Sequence, residues 1–332
     1  MMRLCPPDGT RIGQTDRLQM TFGGAEANVA VSLANFGVQA TYVTKLPDNP
    51  LTSAFLYQMR GFGVDVGHIA IGGERMGVYF VEKGASMRPS KVVYDRKYSA
   101  ISAVQPGDID WNAAFEGASW FHWTGITPAL SPAAAQETLA ACRIAKAQGL
   151  TVSCDLNYRK NLWSREAARE TMGPLMEYVD VLIANEEDPK DVFGISAEGS
   201  DIEGGRLSAE GYADLAKKLS SAFSLRKCAF TLRESISAND NNWSGILYDA
   251  ASGSVSVSQK YAIHIVDRVG GGDSFGAGLI YSLMNGKSDE EAVRFAVAAS
   301  ALKHTIEGDF NRVSVAEVEN LLKSGGSGRV QR

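Results

Sequence analysis

Residues 263–284 (IHIVDRVGGGDSFGAGLIYSLM) bring together a carboxylate, a run of glycines and a helix start. An apolar segment with Ile263, Ile265 and Val266 runs into Asp267, then Gly270, Gly271 and Gly272, then Asp273. From Phe275 onward, apolar and small residues recur at helical spacing. Glycines permit positive φ and put no Cβ in the way of an anion. The first N–H groups of a helix have no internal partner and carry the positive end of its dipole. Such donors stabilise the charge that spreads over a phosphoryl group in transfer. Asp273 beside them could accept the proton of an attacking hydroxyl. The bare motif also fits a dinucleotide-type turn or a plain helix start. It is not a Walker A loop, because no Lys-Ser/Thr follows the glycines. It also lies late in the chain, whereas a dinucleotide fingerprint opens its βαβ unit.

Other residues suit the same chemistry. Asn28 follows Gly23 and Gly24 at a helix start, where Asn commonly caps; the glycines favour a backbone that closely approaches a ligand. Arg159 follows an apolar strand, at the end where α/β folds bind ligands. Asn185, Glu186, Glu187 and Asp188 offer oxygen ligands after another apolar strand, although such a cluster is most often a solvated helix start.

The elements that must hold these residues come in two textures. Residues 11–22, 76–82 and 91–96 read as short strands, the last two set apart by a turn-rich stretch, 83–90. The rest alternates. Residues 27–36 have helical spacing and stop at Gly37, and 40–45 reads as a strand. A helix over 132–148, closed by Gly149, leads into a strand over 150–155; a helix over 165–178 leads into a strand over 179–184. Alternating βα units predict a mostly parallel sheet covered by helices on both faces. The strand-rich pieces, about 10–22 and 72–100, predict a small discontinuous sheet standing off as a lid. Residues 195–211 read as a surface insertion and 324–332 as a flexible tail.

Bulk properties narrow the class. The 332 residues are 45% hydrophobic and 21% charged, as in a soluble domain with a sizeable core, and one domain over 1–332 is expected. A net charge of -5 argues against a nucleic-acid partner. Cys5, Cys142, Cys154 and Cys228 form no CxxC pair, and the four histidines show no metal-ligand spacing. No apolar run reaches transmembrane length and no signal peptide is evident, so the expected setting is the cytoplasm, without a membrane partner.

The pattern Asp267-x-x-Gly270-x-Gly272-Asp273-x-Phe275-x-x-Gly278 resembles the C-terminal signature of the ribokinase-like (PfkB) carbohydrate kinases. Residues 23–30 (GGAEANVA) resemble their N-terminal signature, and the likeness covers nearly the whole chain. Residues 125–131 (GITPALS), 155–159 (DLNYR) and 162–164 (LWS) look like the 2-keto-3-deoxygluconate kinases within that family. The resemblance implies a ribokinase-like three-layer α/β sandwich with a small β-sheet lid, and ATP- and Mg²⁺-dependent phosphorylation of the 6-hydroxyl of 2-dehydro-3-deoxy-D-gluconate. It implies Asp273 as base, with Gly270, Gly271 and Gly272 as the anion hole. Gly23, Gly24, Asn28, Tyr79, Tyr94, Arg96, Arg159 and Asp309 would contact the sugar acid. Arg96 and Arg159 suit its carboxylate, which a planar guanidinium grips through paired hydrogen bonds. Asn157, Asn185, Thr231 and Arg233, with Gly270 and Gly272, would contact the nucleotide, and Asp188 the metal, through water. The family often dimerises through its lid, so a homo-oligomer is expected.

The chain also departs from the family pattern. It opens MMRLCPP, without the apolar strand the family places first, so an exposed sheet edge is expected. Asp188 stands where the family's Asn-x-x-Glu has Glu. The nucleotide loop reads TLRESIS over 231–237, with Arg233 replacing a glycine and a longer loop expected. Other readings are a fructokinase, a ribokinase, a 2-keto-3-deoxygalactonate kinase, an inactive sugar-acid-binding protein or, more distantly, a dehydrogenase.

Overall fold

The computed structural model describes residues 1–185, 187–197 and 209–325. Of the expected insertion, 198–208 lie outside the described residues. Of the expected tail, Ser324 ends the last helix, Gly325 caps it, and 326–332 lie outside.

The strands are β1 (Met2–Cys5), β2 (Gln19–Phe22), β3 (Lys45–Leu46), β4 (Ala70–Ile71), β5 (Val78–Glu82), β6 (Lys91–Asp95), β7 (Trp120–Thr124), β8 (Thr151–Asp155), β9 (Val181–Ala184), β10 (Lys227–Ser235), β11 (Asp240–Asp249), β12 (Val255–Val257) and β13 (Tyr261–His264). The helices are α1 (Ala25–Asn35), α2 (Pro50–Gly61), α3 (Trp111–Ala114), α4 (Pro132–Ala147), α5 (Arg165–Met176), α6 (Asp188–Phe193), α7 (Ala209–Phe223), α8 (Gly271–Met284), α9 (Asp289–Lys303) and α10 (Val315–Ser324).

The main sheet runs β12-β11-β10-β9-β8-β7, with β13 also on β11. It is parallel from β7 to β10 and antiparallel beyond. All four β9 residues are buried because helices cover both faces. Leu182 faces a cluster with Cys142, Met172, Leu175, Leu215 and Leu219 of α4, α5 and α7. Val181 and Ile183 face Phe275, Leu279, Val293 and Val297 of α8 and α9. Each such buried side chain contributes about 1.5–3 kcal/mol. These three layers place the C-terminal ends of β7–β10 beside the N-terminal end of α8.

The second sheet, β2-β1-β5-β6, is the lid. It includes Met2–Cys5, which the sequence reading left outside it; β1 lies between β2 and β5. Residues 11–22 are not one strand. Glu82 accepts a hydrogen bond from Ile12 N (3.0 Å), and a 3₁₀ turn at Ile12–Gln14 precedes β2. The lid's β5–β6 turn meets the β10–β11 turn: Ala238 N donates to Ser86 O (2.7 Å) and Ser86 N to Asn239 Oδ1 (2.8 Å).

Residues 40–45 form less strand than expected. Only Lys45–Leu46 pair, with β4, and Thr41 bridges to Asp65. On its other side this segment faces β7 across open space, and β7 pairs only with β8 among the described strands. A strand-like composition without a second ladder partner leaves the segment irregular. The expected nucleotide loop is also corrected: β10 continues through Thr231 and Arg233 to Ser235, paired throughout with β11, and turns only at 236–239.

Candidate active site

Asp273 sits in the first turn of α8, whose N-cap, Gly270, has φ 85°. A Cβ on Gly270 would lie 2.1 Å from Asp309 O, so the turn's shape and its packing both require glycine. The Asp273 carboxylate is half-buried at the cavity wall and accepts a hydrogen bond from Asn28 Nδ2 (2.7 Å). Burial raises its pKa to about 7, aided by the charges of Asp309 and Glu26 and opposed by the Asn28 bond and Arg159.

Asp309 anchors the layer beneath. It accepts hydrogen bonds from Arg3 Nη1 (2.7 Å) and the Tyr79 hydroxyl (2.5 Å). The other Arg3 nitrogen donates to Asp267, which also caps Val269 N and Gly308 N. Arg3 is 1% exposed, so a lid residue holds both acids flanking the glycine turn in a buried ionic network. Gly23 packs against this network: its Cβ would lie 2.1 Å from Asp309 Oδ2.

A cavity of about 820 Å³ opens from the start of α8 and extends back between residues 38–46 and β7. Gly24, Asn28, Tyr79, Tyr94, Arg96, Asn157, Arg159, Gly270, Gly272, Asp273 and Asp309 all line it. Tyr79 and Tyr94 face each other across β5 and β6 with stacked rings, and the Arg96 guanidinium lies 4.2 Å over the Tyr94 ring. Arg96 is 8% exposed, and burial with the nearby Arg159 charge lowers its pKa. Arg159 Nη1 donates to Tyr158 O (2.9 Å). Neither arginine pairs with a carboxylate among the described residues. Two like charges in one cavity, neither held in an ion pair by a described residue, make a site for an anion.

The remaining candidates lie off the cavity wall. Gly271 packs on His304. Asn185 Oδ1 accepts hydrogen bonds from Glu187 N (2.8 Å) and Asp188 N (2.9 Å), so it shapes the turn into α6. Glu186 lies outside the described residues. Thr231 and Arg233 project from β10. Burial raises the Asp188 pKa to about 6; burial, Asp188 and Asp273 raise that of Asp155. Among the described residues no group of three or more His, Cys, Asp or Glu could hold a metal ion. The excess of carboxylate charge suits a hydrated divalent cation carried by phosphates, which needs few protein ligands.

Residues 3–311 match the pfkB family carbohydrate kinases. The chain belongs to that family. It is therefore a carbohydrate kinase, an enzyme that uses ATP to phosphorylate a small sugar. The 2-dehydro-3-deoxygalactonokinase of Haloferax volcanii is 33% identical, over 99% of this chain and 96% of the relative. The 2-dehydro-3-deoxygluconokinase of Thermoproteus tenax is 30% identical over 91% and 85%. The crystal structure of 2-dehydro-3-deoxygluconokinase from Thermotoga maritima superposes with a TM-score of 0.93 at 51% identity, covering 97% of this chain and 95% of that one.

In this pfkB kinase several residues with prominent roles escaped the sequence reading. Glu26 Oε1 accepts hydrogen bonds from Thr124 Oγ1 (2.8 Å) and Thr127 Oγ1 (2.7 Å), tying the start of α1 to the end of β7 beside the cleft. Its place inside the GGAEANVA signature was the available signal. Nothing in the sequence pairs Arg3 with Asp267 and Asp309. Arg268, inside the glycine motif, lines the cavity.

Proposed function

We propose that this kinase transfers the γ-phosphoryl group of ATP to the 6-hydroxyl of 2-dehydro-3-deoxy-D-gluconate. The observation that carries this reading is the Arg96–Arg159 pair, without an ion-pair partner among the described residues, in the cavity that holds Asp273. A neutral sugar gives those charges no partner, whereas a sugar-acid carboxylate does. The names of the Thermoproteus and Thermotoga relatives support the same substrate.

Asp273, in its ionised form, accepts the proton of the 6-hydroxyl. As the O6–H bond breaks, the new O6–P bond forms and the bond from γ-phosphorus to the bridging oxygen of ADP breaks, leaving its electron pair on ADP. The N–H groups at the start of α8 stabilise the charge on the moving phosphoryl oxygens. Asn28, Tyr79, Tyr94 and Asp309 orient the sugar, and Asn157, Asn185, Thr231 and Arg233 the nucleotide side. Asp188 would hold Mg²⁺ through water, and that ion neutralises phosphate charge when bound.

The Haloferax relative favours a second reading, the C4 epimer 2-dehydro-3-deoxy-D-galactonate. A coupled ADP-release assay over both acids, fructose and ribose tests both. The expected result is turnover with the gluconate acid at the highest kcat/KM. Preference for the galactonate acid selects the second reading, and preference for a neutral sugar discards both.

The setting is proposed as the cytoplasm: no helix among the described residues could cross a membrane, and all four cysteines are buried and free. The lid exposes Met20, Val92 and Val93, which supports a homo-oligomer through that sheet. Light scattering on Val93→Glu should report monomers, and an unchanged mass would remove the lid from the interface.

A further inference from the structure

At the glycine-turn end of the cleft a further arginine, Arg268, lacks an acidic partner among the described residues, and the exposed Arg233 of β10 lies near enough for its charge to act on it. Arg268 lines the cavity with Gly270, Gly272 and Asp273. Its Nη2 donates to Ala238 O (2.9 Å), while its Nε is buried without any hydrogen-bond partner. Burial, then the charge of Arg233, lowers its pKa. The same two guanidinium charges bear on the buried His304, on which Gly271 packs.

The neighbouring acids are already committed. Asp267 is bound by Arg3, and Glu234 by Lys260 and Asn242. Neither Arg233 nor Arg268 makes an ion pair among the described residues. A buried, unsatisfied guanidinium donor beside a second guanidinium is costly unless an anion completes it. The anion available to a sugar kinase at the mouth of its glycine turn is the polyphosphate of its nucleotide.

We propose that Arg268, with Arg233 beside it, grips the phosphates of ATP and holds the charge that collects on ADP as the phosphoryl group leaves. As the bond between γ-phosphorus and the bridging oxygen breaks, its electron pair passes to that oxygen, and the Arg268 N–H groups donate to it. The sugar proton still goes to Asp273. The inference rests on the nucleotide lying against the start of α8, and it gives this chain a phosphate contact from the residue just after Asp267.

Calorimetric titration of the wild type, Arg268→Met, Arg268→Lys and Arg233→Met with ADP, tripolyphosphate and adenosine tests it, alongside kcat and the KM for ATP. Arg268→Met should bind ADP and tripolyphosphate at least about tenfold more weakly, the loss expected for a charge-assisted bond. It should bind adenosine as the wild type does and turn over more slowly. Arg268→Lys should recover part of the ADP affinity, and Arg233→Met should weaken ADP and tripolyphosphate but not adenosine. If Arg268→Met does not fold by circular dichroism, Arg268→Lys and Arg233→Met decide. ADP affinity within twofold of wild type in both overturns the proposal. So does an equal loss of ADP and adenosine, which would mark Arg268 as a brace for the Ala238 turn. A wild type that turns over none of the tested sugars is a different failure, that of the substrate reading.

Discussion

Asn28 Nδ2 donates a 2.7 Å hydrogen bond to the Asp273 carboxylate, joining the start of α1 to the start of α8 across 245 residues of sequence. The bond opposes burial. It favours the ionised carboxylate, while desolvation favours the neutral acid, and the balance leaves the pKa at about 7. A base tuned to that value is half ionised near neutrality and still accepts a proton readily.

The pH profile follows. A base must be ionised to act, so kcat/KM should fall below about pH 7, with one acid limb. Replacing Asn28 with Leu removes the bond that favours the anion and should move the limb upward by about one unit. A limb that stays in place would separate Asn28 from Asp273 function. The stability effect has the opposite pH sense. The folded pKa, about 7, exceeds the ordinary 3.8, so Asp273 contributes stability at low pH that is lost as pH rises through about 7. Asp273→Asn should flatten that part of the urea-midpoint profile.

Asp273→Asn should lower kcat by about 10²–10⁴-fold, the usual worth of a positioned base, with sugar affinity little changed. Single-turnover ADP formation measures it. A variant retaining more than a tenth of wild-type kcat would show that proton removal occurs elsewhere.

Arg96→Met and Arg159→Met should each raise KM for the sugar acid by about 10- to 100-fold, as expected for a lost bond to a charged group. Turnover of fructose, which has no carboxylate, should not drop in parallel. Equal losses on both substrates would assign the arginines to packing.

Arg3→Met leaves Asp267 and Asp309 buried without their cation. Breaking such a network from one side costs about 3–5 kcal/mol, measurable by urea denaturation. A loss below about 1 kcal/mol would mean that the acids take up protons or solvent instead.

The glycine turn, α8 and the alternating βα units were legible because each follows a local period or a backbone requirement. What escaped depended on distant partners. Residues 2–5 form a lid strand only because β2 and β5 flank them. Residues 40–45 carry strand composition, yet composition cannot supply a second neighbouring strand. Thr231 and Arg233 resemble a loop in sequence because they align with a glycine-rich family pattern, but pairing with β11 extends β10 through them. Arg3, Glu26 and Arg268 act through partners far away in sequence, and no spacing rule announces such pairs. The arginines at the sugar end illustrate the limit. Their types suggested a carboxylate, but only the structure revealed that neither forms an ion pair among the described residues.

The hydrogen bonds from the Ser86 turn to Ala238 and Asn239 join the lid to the β10–β11 hairpin in one rim. Whatever reacts beneath that rim does so behind a gate with two bolts. If products leave past this rim, both bonds must part first, and their opening then shares the pace of catalysis with chemistry at phosphorus.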